Sequence, residues 1–598
     1  MPKAKKSEDT ETIALASSKI KKLIIKNFRC IGNNPVEIDL NDIVVLVGPN
    51  NAGKSTILRA YEVVMQHGSK LGKLKIEDFP NEKPDAEHLP EIELQTFVFD
   101  NFPNSIWLHD DEETGYKFVR ERWIYAKPDV EPTRQGFRSD SNAWDEKVPW
   151  GAPNVARSRR PIPYRVDAFD NPETQAEKII NILSDILVEK SKQQSPDQQS
   201  AIEALSSKII EIKKQIIEEA SDDITEIESS LSANLSEVFQ GYKVKLDPRT
   251  EYVSDKFLNV FSSLPILRMG PENGHFAPLD KQGSGARRTL LWLALKIAAE
   301  LSPNRTARPT SKTTTDKAGS SDTEEYSRPH ALLLDEPEIC LHPNAVRDAC
   351  RVLYDLAEDN KGWQVMVTTH SPAFIDLSRD NTTIVRVERN NSGNIEGTTV
   401  LRPEKAKISD KDKDYLKLLN QWDPYVAEFL FGGKTVIVEG DTEYSAFREI
   451  IENDRKTYRD VHVVRARGKY IIPILGKIMN HFNGRYAVLH DSDRPKTKDG
   501  KTNSAWTANE RIRDVCKNDN DHSRVRLAAS IIDFEYAVFG DSASGEKPYY
   551  TVQRIRNDKT SRNKVEELLK YLIFDTDKIP FDTIVEWNDI NELEARLK

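Results

Sequence analysis

One junction restricts this chain more than any other. The apolar, β-branched run DIVVLVG ends at Gly48, and Gly48 to Thr56 reads GPNNAGKST. After it, Ile57, Leu58, Tyr61, Val64 and Met65 recur at helical spacing. The nine residues fit G-x-x-x-x-G-K-[ST] in full, in the strand–loop–helix setting that gives the motif its meaning. Backbone amides of such a loop, with the start of the next helix, cradle phosphates. The expected nucleotide contacts are Gly48, Asn50, Asn51, Gly53, Lys54, Ser55 and Thr56. Lys54 is placed to neutralise the β- and γ-phosphates, and Ser55 to bind Mg²⁺. The ligand expected is ATP, and the fold class is α/β.

Three later segments complete a split nucleotide site. ALLLDEPE is an apolar strand ending in adjacent acids, and like charges there must be solvated or metal-bound. Asp335 is expected to hold Mg²⁺ through water and Glu336 to polarise the attacking water. QGSGARRTL opens a helix, so Ser284 and Gly285 can meet a γ-phosphate presented by another subunit. VMVTTHSPAF ends a strand at Thr368, Thr369 and His370, where His370 can sense the γ-phosphate.

A second acidic cassette follows residue 430. TVIVEGDTEY brings Glu439 to the end of an apolar strand, with Glu443 four residues on at a helix start. About fifty residues later YAVLHDSD ends another strand at Asp491 and Asp493. Carboxylates at i and i+2, with Glu439, make a hard-oxygen site suited to Mg²⁺ or Mn²⁺. Such ions bind phosphate, activate water and stabilise a leaving oxyanion. His490 is not needed as a general base there and is expected to support its neighbours. Two basic stretches, Arg157, Arg159, Arg160 and Arg165, and Arg465, Arg467 and Lys469, are candidates for a phosphate backbone.

The 598 residues carry a net charge of -10, which disfavours a uniformly basic nucleic-acid binder but not a local groove. No apolar run reaches bilayer length, and residues 1–19 read as a disordered leader, not a secretion signal. Cys30, Cys340, Cys350 and Cys516 lack CxxC spacing, which points to a reducing, cytoplasmic setting. Residues 20–170 and 246–402 form the expected ATPase. Residues 171–245, rich in Ile, Leu, Glu and Lys at spacings of three and four, read as an inserted helical arm for dimerisation. Residues 302–329 form a polar insert, 403–430 a connector and 431–598 a second α/β domain. Residues 91–125 read as antiparallel strands and 127–165 as loop.

The first set of motifs resembles the ABC-type ATPase heads of the SMC, Rad50 and RecF group, with QGSGA where LSGGQ is common. Such heads sandwich ATP between two subunits, which implies a homodimer or higher homo-oligomer. The acidic cassette resembles the Toprim fold. Together, in this order, they resemble the OLD family of ATP-dependent endonucleases. That resemblance adds a later acid and a lysine to the site: Glu535 in IIDFEYAVFG, with Asp533 secondary, and Lys547 in GEKPYYT. It implies an ATP-regulated, metal-dependent enzyme that cuts DNA more readily than RNA. It further implies an anti-phage role, and a partner such as a helicase-like protein or a retron reverse transcriptase with its DNA. A non-cutting ATP-dependent DNA clamp, and a primase- or topoisomerase-type enzyme, remain the alternatives at this point.

Overall fold

The computed structural model describes residues 15–16, 18–151, 155–156, 159–167, 179–180, 221–239, 241–247, 266–301, 326–327, 329–357, 362–376, 378–379, 381–390, 392–402, 409–422, 424–431, 433–481, 485–497, 499–517, 524–541 and 546–597. Two compact units cluster within it. One gathers Met1–Leu46, Gly53–Phe374 and Asn390–Ile395; the other gathers Val47–Ala52, Ile375–Arg389 and Glu396–Lys598.

The first unit contains a parallel ladder of strands Ile162–Val166, His330–Asp335, Trp363–Thr368 and Ile43–Val47, in that order. Strands Ile43–Val47 and Trp363–Thr368 are buried along their whole length. Unbroken apolar runs of this kind belong to parallel sheets covered on both faces. Register sets the site: Asp335 pairs with Thr368, and Thr368 with Leu46, so three strands end level. Helix Lys54–Met65 then starts at the carboxyl edge of that ladder.

A second, antiparallel sheet runs Val36–Asp39, Ser18–Lys26, Glu91–Val98, Lys117–Ile124, Thr133–Arg138 and Ala143–Asp145. Strand Lys117–Ile124 alternates buried and half-buried positions, as a sheet with one open face requires. Residues 91–125 are thus antiparallel strands, as expected. Residues 127–165 are not simply loop. They hold two short strands, and the first, Thr133–Arg138, is rich in Arg and Gln, which hides its periodicity. Arg120 lies 4.1 Å from the Phe137 ring and Arg122 lies 4.4 Å from the Trp144 ring. The third, Ile162–Val166, earns its place by pairing with His330–Asp335, far away in sequence.

Helix Ser221–Val238 buries Ile227, Leu231, Leu235 and Val238 along one stripe. It packs on helices Ser284–Leu301 and Pro343–Leu356 of the same chain. Most of the expected arm, the leader and the polar insert lie outside the described residues.

The second unit holds a five-stranded sheet in the order Val461–Arg465, Lys434–Val438, Tyr486–Asp491, Val525–Ser530 and Ile584–Glu586. The first four are parallel and the last is antiparallel. Val436, Val438, Phe447, Leu489, Phe534, Leu568 and Leu569 share its core. Helices Lys547–Asn557 and Lys559–Leu572 close it, the second capped by Asp558, which accepts from the Thr560 and Ser561 amides. No helix among the described residues is long and apolar enough to cross a membrane.

Candidate nucleotide and metal sites

The nucleotide motifs converge at the carboxyl ends of the parallel strands, where open α/β sheets hold their ligands. Gly53 caps the helix at φ 97°, a left-handed conformation that glycine enters without strain. Gly48 sits at φ 138°, and a Cβ there would lie 2.0 Å from the Val387 carbonyl oxygen. Asn51 is also left-handed, at φ 60°. Ser55 Oγ donates to Asp335 Oδ1 at 3.0 Å, and Thr368 Oγ1 donates to the same oxygen at 2.6 Å. The two expected Mg²⁺ contacts therefore meet.

Lys54 Nζ donates to His370 Nε2 at 2.9 Å, and Glu336 Oε1 lies 3.3 Å from the same nitrogen. Burial lowers the Lys54 pKa, against the pull of Glu336, Asp335 and Glu338. Burial and the Lys54 charge lower that of His370. Glu336 is held at φ 47°, its amide donating to Thr368 O at 3.1 Å. The structure adds residues that the motifs did not single out. Glu338, raised by burial, accepts from Thr369 Oγ1 at 2.8 Å and the His370 amide at 2.7 Å. Arg288 donates to the Asp335 carbonyl. Ser284 starts its helix as expected. Gly285 presses on the Cys340 backbone, where a Cβ would meet the carbonyl oxygen at 2.6 Å.

The acidic cassette converges in the second unit by the same geometry. Val438 pairs with Leu489 and with Arg465, and Asp491 with Ser530. Residues just past those pairs come to one edge: Glu439, Lys469, Asp491, Asp493 and Glu535. Glu439 Oε2 accepts from the Asp491 amide at 3.1 Å. Asp493 is left-handed at φ 56° and donates its amide to the Ile532 carbonyl at 3.3 Å. Lys547 Nζ lies 3.1 Å from Glu535 Oε2 and 3.7 Å from Asp533. Asp533 is chiefly a helix cap, accepting from the Tyr536 amide at 2.8 Å.

These acids crowd one another in a poorly solvated place. Burial, then Glu439 and Glu535, push Glu443 up to about 7. Burial, then Glu443 and Glu439, raise Asp491 well above the ordinary carboxyl value. Burial likewise raises Glu439, with Lys469 opposing. Asp491 Oδ1 is shielded from water and has no hydrogen-bond partner. An orphaned carboxylate oxygen among further hard-oxygen donors fits a divalent cation. Among the described residues, no three His, Cys, Asp or Glu side chains stand close enough to ligate one ion as they lie. Asp493 is turned to Lys469 instead.

His490 is fully buried, with Trp587 edge-on to its ring. Trp587 Nε1 donates to Nε2 at 3.2 Å, and Nδ1 lies 2.8 Å from the Asp491 carbonyl. Burial and Lys469 depress its pKa to about 3. The ring supports the strand end and has no lone pair free to act as a base, in line with the expectation.

In the two basic stretches, Arg160 and Lys469 need correction as phosphate trackers, because both are buried. Arg160 is fully buried and donates to Glu121 at 3.0 Å. Arg159 pairs with Asp100 at 2.9 Å, and Arg165 with Asp167 at 2.6 Å. Arg157 lies outside the described residues. Arg465 pairs with Asp441 at 2.6 Å, and Lys469 is 4% exposed. These cations neutralise carboxylates of their own unit. Lys469 is the important site residue that sequence reasoning misplaced. Its signal was Gly468, at φ 128°, beside the strand end that faces Glu439.

Comparison with known proteins agrees with this pairing of sites. A family model described as AAA ATPase domain matches residues 19–118 and 165–375. One described as Overcoming lysogenization defect protein-like, TOPRIM domain, matches residues 430–493. The class is therefore an ATPase domain followed by a Toprim domain. Among curated proteins, the OLD nuclease of Thermus scotoductus (strain ATCC 700910 / SA-01) is 23% identical over 489 residues, covering 79% of this chain and 82% of the relative. The Old nuclease of Escherichia phage P2 is 22% identical over 504 residues, covering 81% and 78%. The chain belongs to the AAA ATPase domain family, and its C-terminal part matches the OLD-like Toprim model. Solved structures that resemble it include an Smc head bound to the C-winged helix domain of ScpA, at TM-score 0.38 and 17% identity, covering 65% of this chain and 99% of that one. The SMC head domain from Thermotoga maritima aligns at TM-score 0.32 and 14% identity, covering 64% and 99%.

Proposed function

We propose that this protein is an ATP-regulated endonuclease that cuts or nicks DNA at the Glu439–Asp491–Asp493 cluster. The observation that carries the reading is the acidic cluster itself, with its unpartnered Asp491 oxygen, at the carboxyl edge of a parallel sheet. Glu439, Glu443, Asp491, Asp493 and Glu535 would hold Mg²⁺ or Mn²⁺. Bound there, the metal would supply Lewis-acid stabilisation and an activated water. Glu439 orients the Asp491 backbone, and Lys547 offers a cation to the scissile phosphate once it parts from Glu535.

In the ATPase domain Lys54 would exchange His370 for phosphate, while Ser55 and Asp335 hold Mg²⁺. Glu336 would then be free to orient water, and His370 to report the γ-phosphate. Ser284 and Gly285 would complete the site of a second copy, so the working form is a homodimer or higher homo-oligomer. Nucleotide state then biases nuclease access, a coupling that needs different affinities in two states. The OLD relatives suggest a defence role against phage, alone or with a partner protein. The domain limits are those read from the sequence, with the Toprim domain at 431–598.

The test is plasmid cleavage in Mg²⁺ or Mn²⁺, with and without ATP, for the native chain, Asp491→Ala and Lys54→Ala. Metal-dependent nicking or linearisation that Asp491→Ala loses is the expected result. Lys54→Ala should cut at a rate that no longer responds to ATP. Relaxed ladders of topoisomers, or cutting that survives Asp491→Ala, would overturn the reading.

A further inference from the structure

We infer that Lys469 is an internal counter-ion of the acidic cluster, which holds Asp493 until a divalent cation displaces it and so sets how readily the site loads. The inference rests on the metal-site reading of Glu439, Asp491 and Asp493. A lysine that is 4% exposed is unusual, because a desolvated ammonium is costly unless it is paired. Lys469 is paired with the Asp493 carboxylate. Its backbone cannot easily swing away. The Ala466 amide donates to the Val438 carbonyl at 2.9 Å, and the Gly468 amide to the Glu439 carbonyl at 3.0 Å. Arg467 at φ 55° and Gly468 at φ 128° turn the chain so that residue 469 follows directly on the strand end beside Glu439.

The remaining acids explain why this pairing is provisional. Asp493 has Lys469 and Glu535 has Lys547, whose charge also acts on Asp491, so five carboxyl groups face two ammonium groups. Asp491 Oδ1 has no partner at all. Two ammonium groups among five carboxyls leave oxygens without a cation, and a divalent ion supplies more charge to more of them. No three donors converge among the described residues, and Asp493 is the one that Lys469 holds aside. Loading therefore exchanges a Lys469–Asp493 contact for a metal–Asp493 contact, and the ammonium opposes the incoming cation.

The measurement is Mn²⁺ binding to the full chain, without nucleotide or DNA, followed by the free-Mn²⁺ electron paramagnetic resonance signal. Thermal melting with and without Mn²⁺ runs in parallel. Lys469→Met should bind Mn²⁺ at least about tenfold more tightly than the native protein. It should also melt earlier without metal, and show a larger Mn²⁺-induced rise. Lys469→Arg, which keeps the charge, should bind as the native chain does. If Lys469→Met does not fold, Lys469→Gln, which keeps a donor without charge, decides by the same criteria. Unchanged or weaker binding in the neutral variant, with native binding lost in Asp491→Asn, would sink the inference alone. Native-like Mn²⁺ binding in Asp491→Asn would remove the metal-site reading and this inference with it.

Discussion

At the scale of single residues, the two sites share a device: side chains that will serve a ligand are occupied by one another. Lys54 rests on His370, which in turn lies beside Glu336, and Lys469 rests on Asp493. Glycine identity is decided by contact at Gly48, where any Cβ collides with the Val387 carbonyl. Gly48→Ala should therefore destabilise the protein by at least about 2 kcal/mol and weaken ATP binding, as read by urea melts and nucleotide titration. Glu121 is another case in which the partner matters more than the residue. Burial alone would raise its carboxyl, yet Arg160 and Arg134 outweigh burial and hold it below the ordinary value of 4.5. A depressed folded-state value means this stabilisation is complete above the unfolded-state pKa. It is lost as pH falls through the folded one. Glu121→Gln should cost about 3–5 kcal/mol near neutrality by stranding Arg160. It should also flatten the decline of urea midpoints below pH 4.5, the ordinary carboxyl value. An unchanged acid limb would show that the triad does not control acid stability.

At the scale of elements, strand register does most of the positioning. A parallel strand pair that ends level brings its next residues together whatever their distance in sequence. That is how Ser55, Asp335 and Thr368 come within hydrogen-bond reach, and how Glu439 reaches the Asp491 amide. The helix Ser221–Val238 illustrates the limit of pattern reading. Its spacing correctly signals a helix, but its apolar stripe is filled by helices of the same unit. Leu231 is 1% exposed within that stripe. Leu231→Ala should cost about 2–5 kcal/mol in urea unfolding while leaving oligomer mass, by light scattering, unchanged. Dissociation at native-like stability would instead assign this helix to a subunit interface.

At the scale of the whole molecule, an ATPase domain and a Toprim domain in one chain define two ligand-linked equilibria. Mg²⁺–ATP at about a hundred times its dissociation constant should stabilise the protein by about 2.7 kcal/mol. The shift should vanish in Lys54→Ala and persist in Asp491→Ala, as measured by thermal melting.

The motifs at both sites were legible because they consist of residue types at short spacings: a glycine-rich loop before a helix, paired acids at a strand end. The α/β class, the antiparallel run at 91–125, and the family followed from those local signals. What only the tertiary structure decided is which charges meet. Arg160 and Lys469 read alike in sequence, as members of basic runs, yet both are buried against carboxylates, on Glu121 and on Asp493. The short Arg-rich strand Thr133–Arg138 and the pairing of Ile162–Val166 with His330–Asp335 were equally hidden. The reason is physical. Local sequence dictates backbone preference and side-chain chemistry, whereas burial and electrostatic partnership arise only when distant strands come into register.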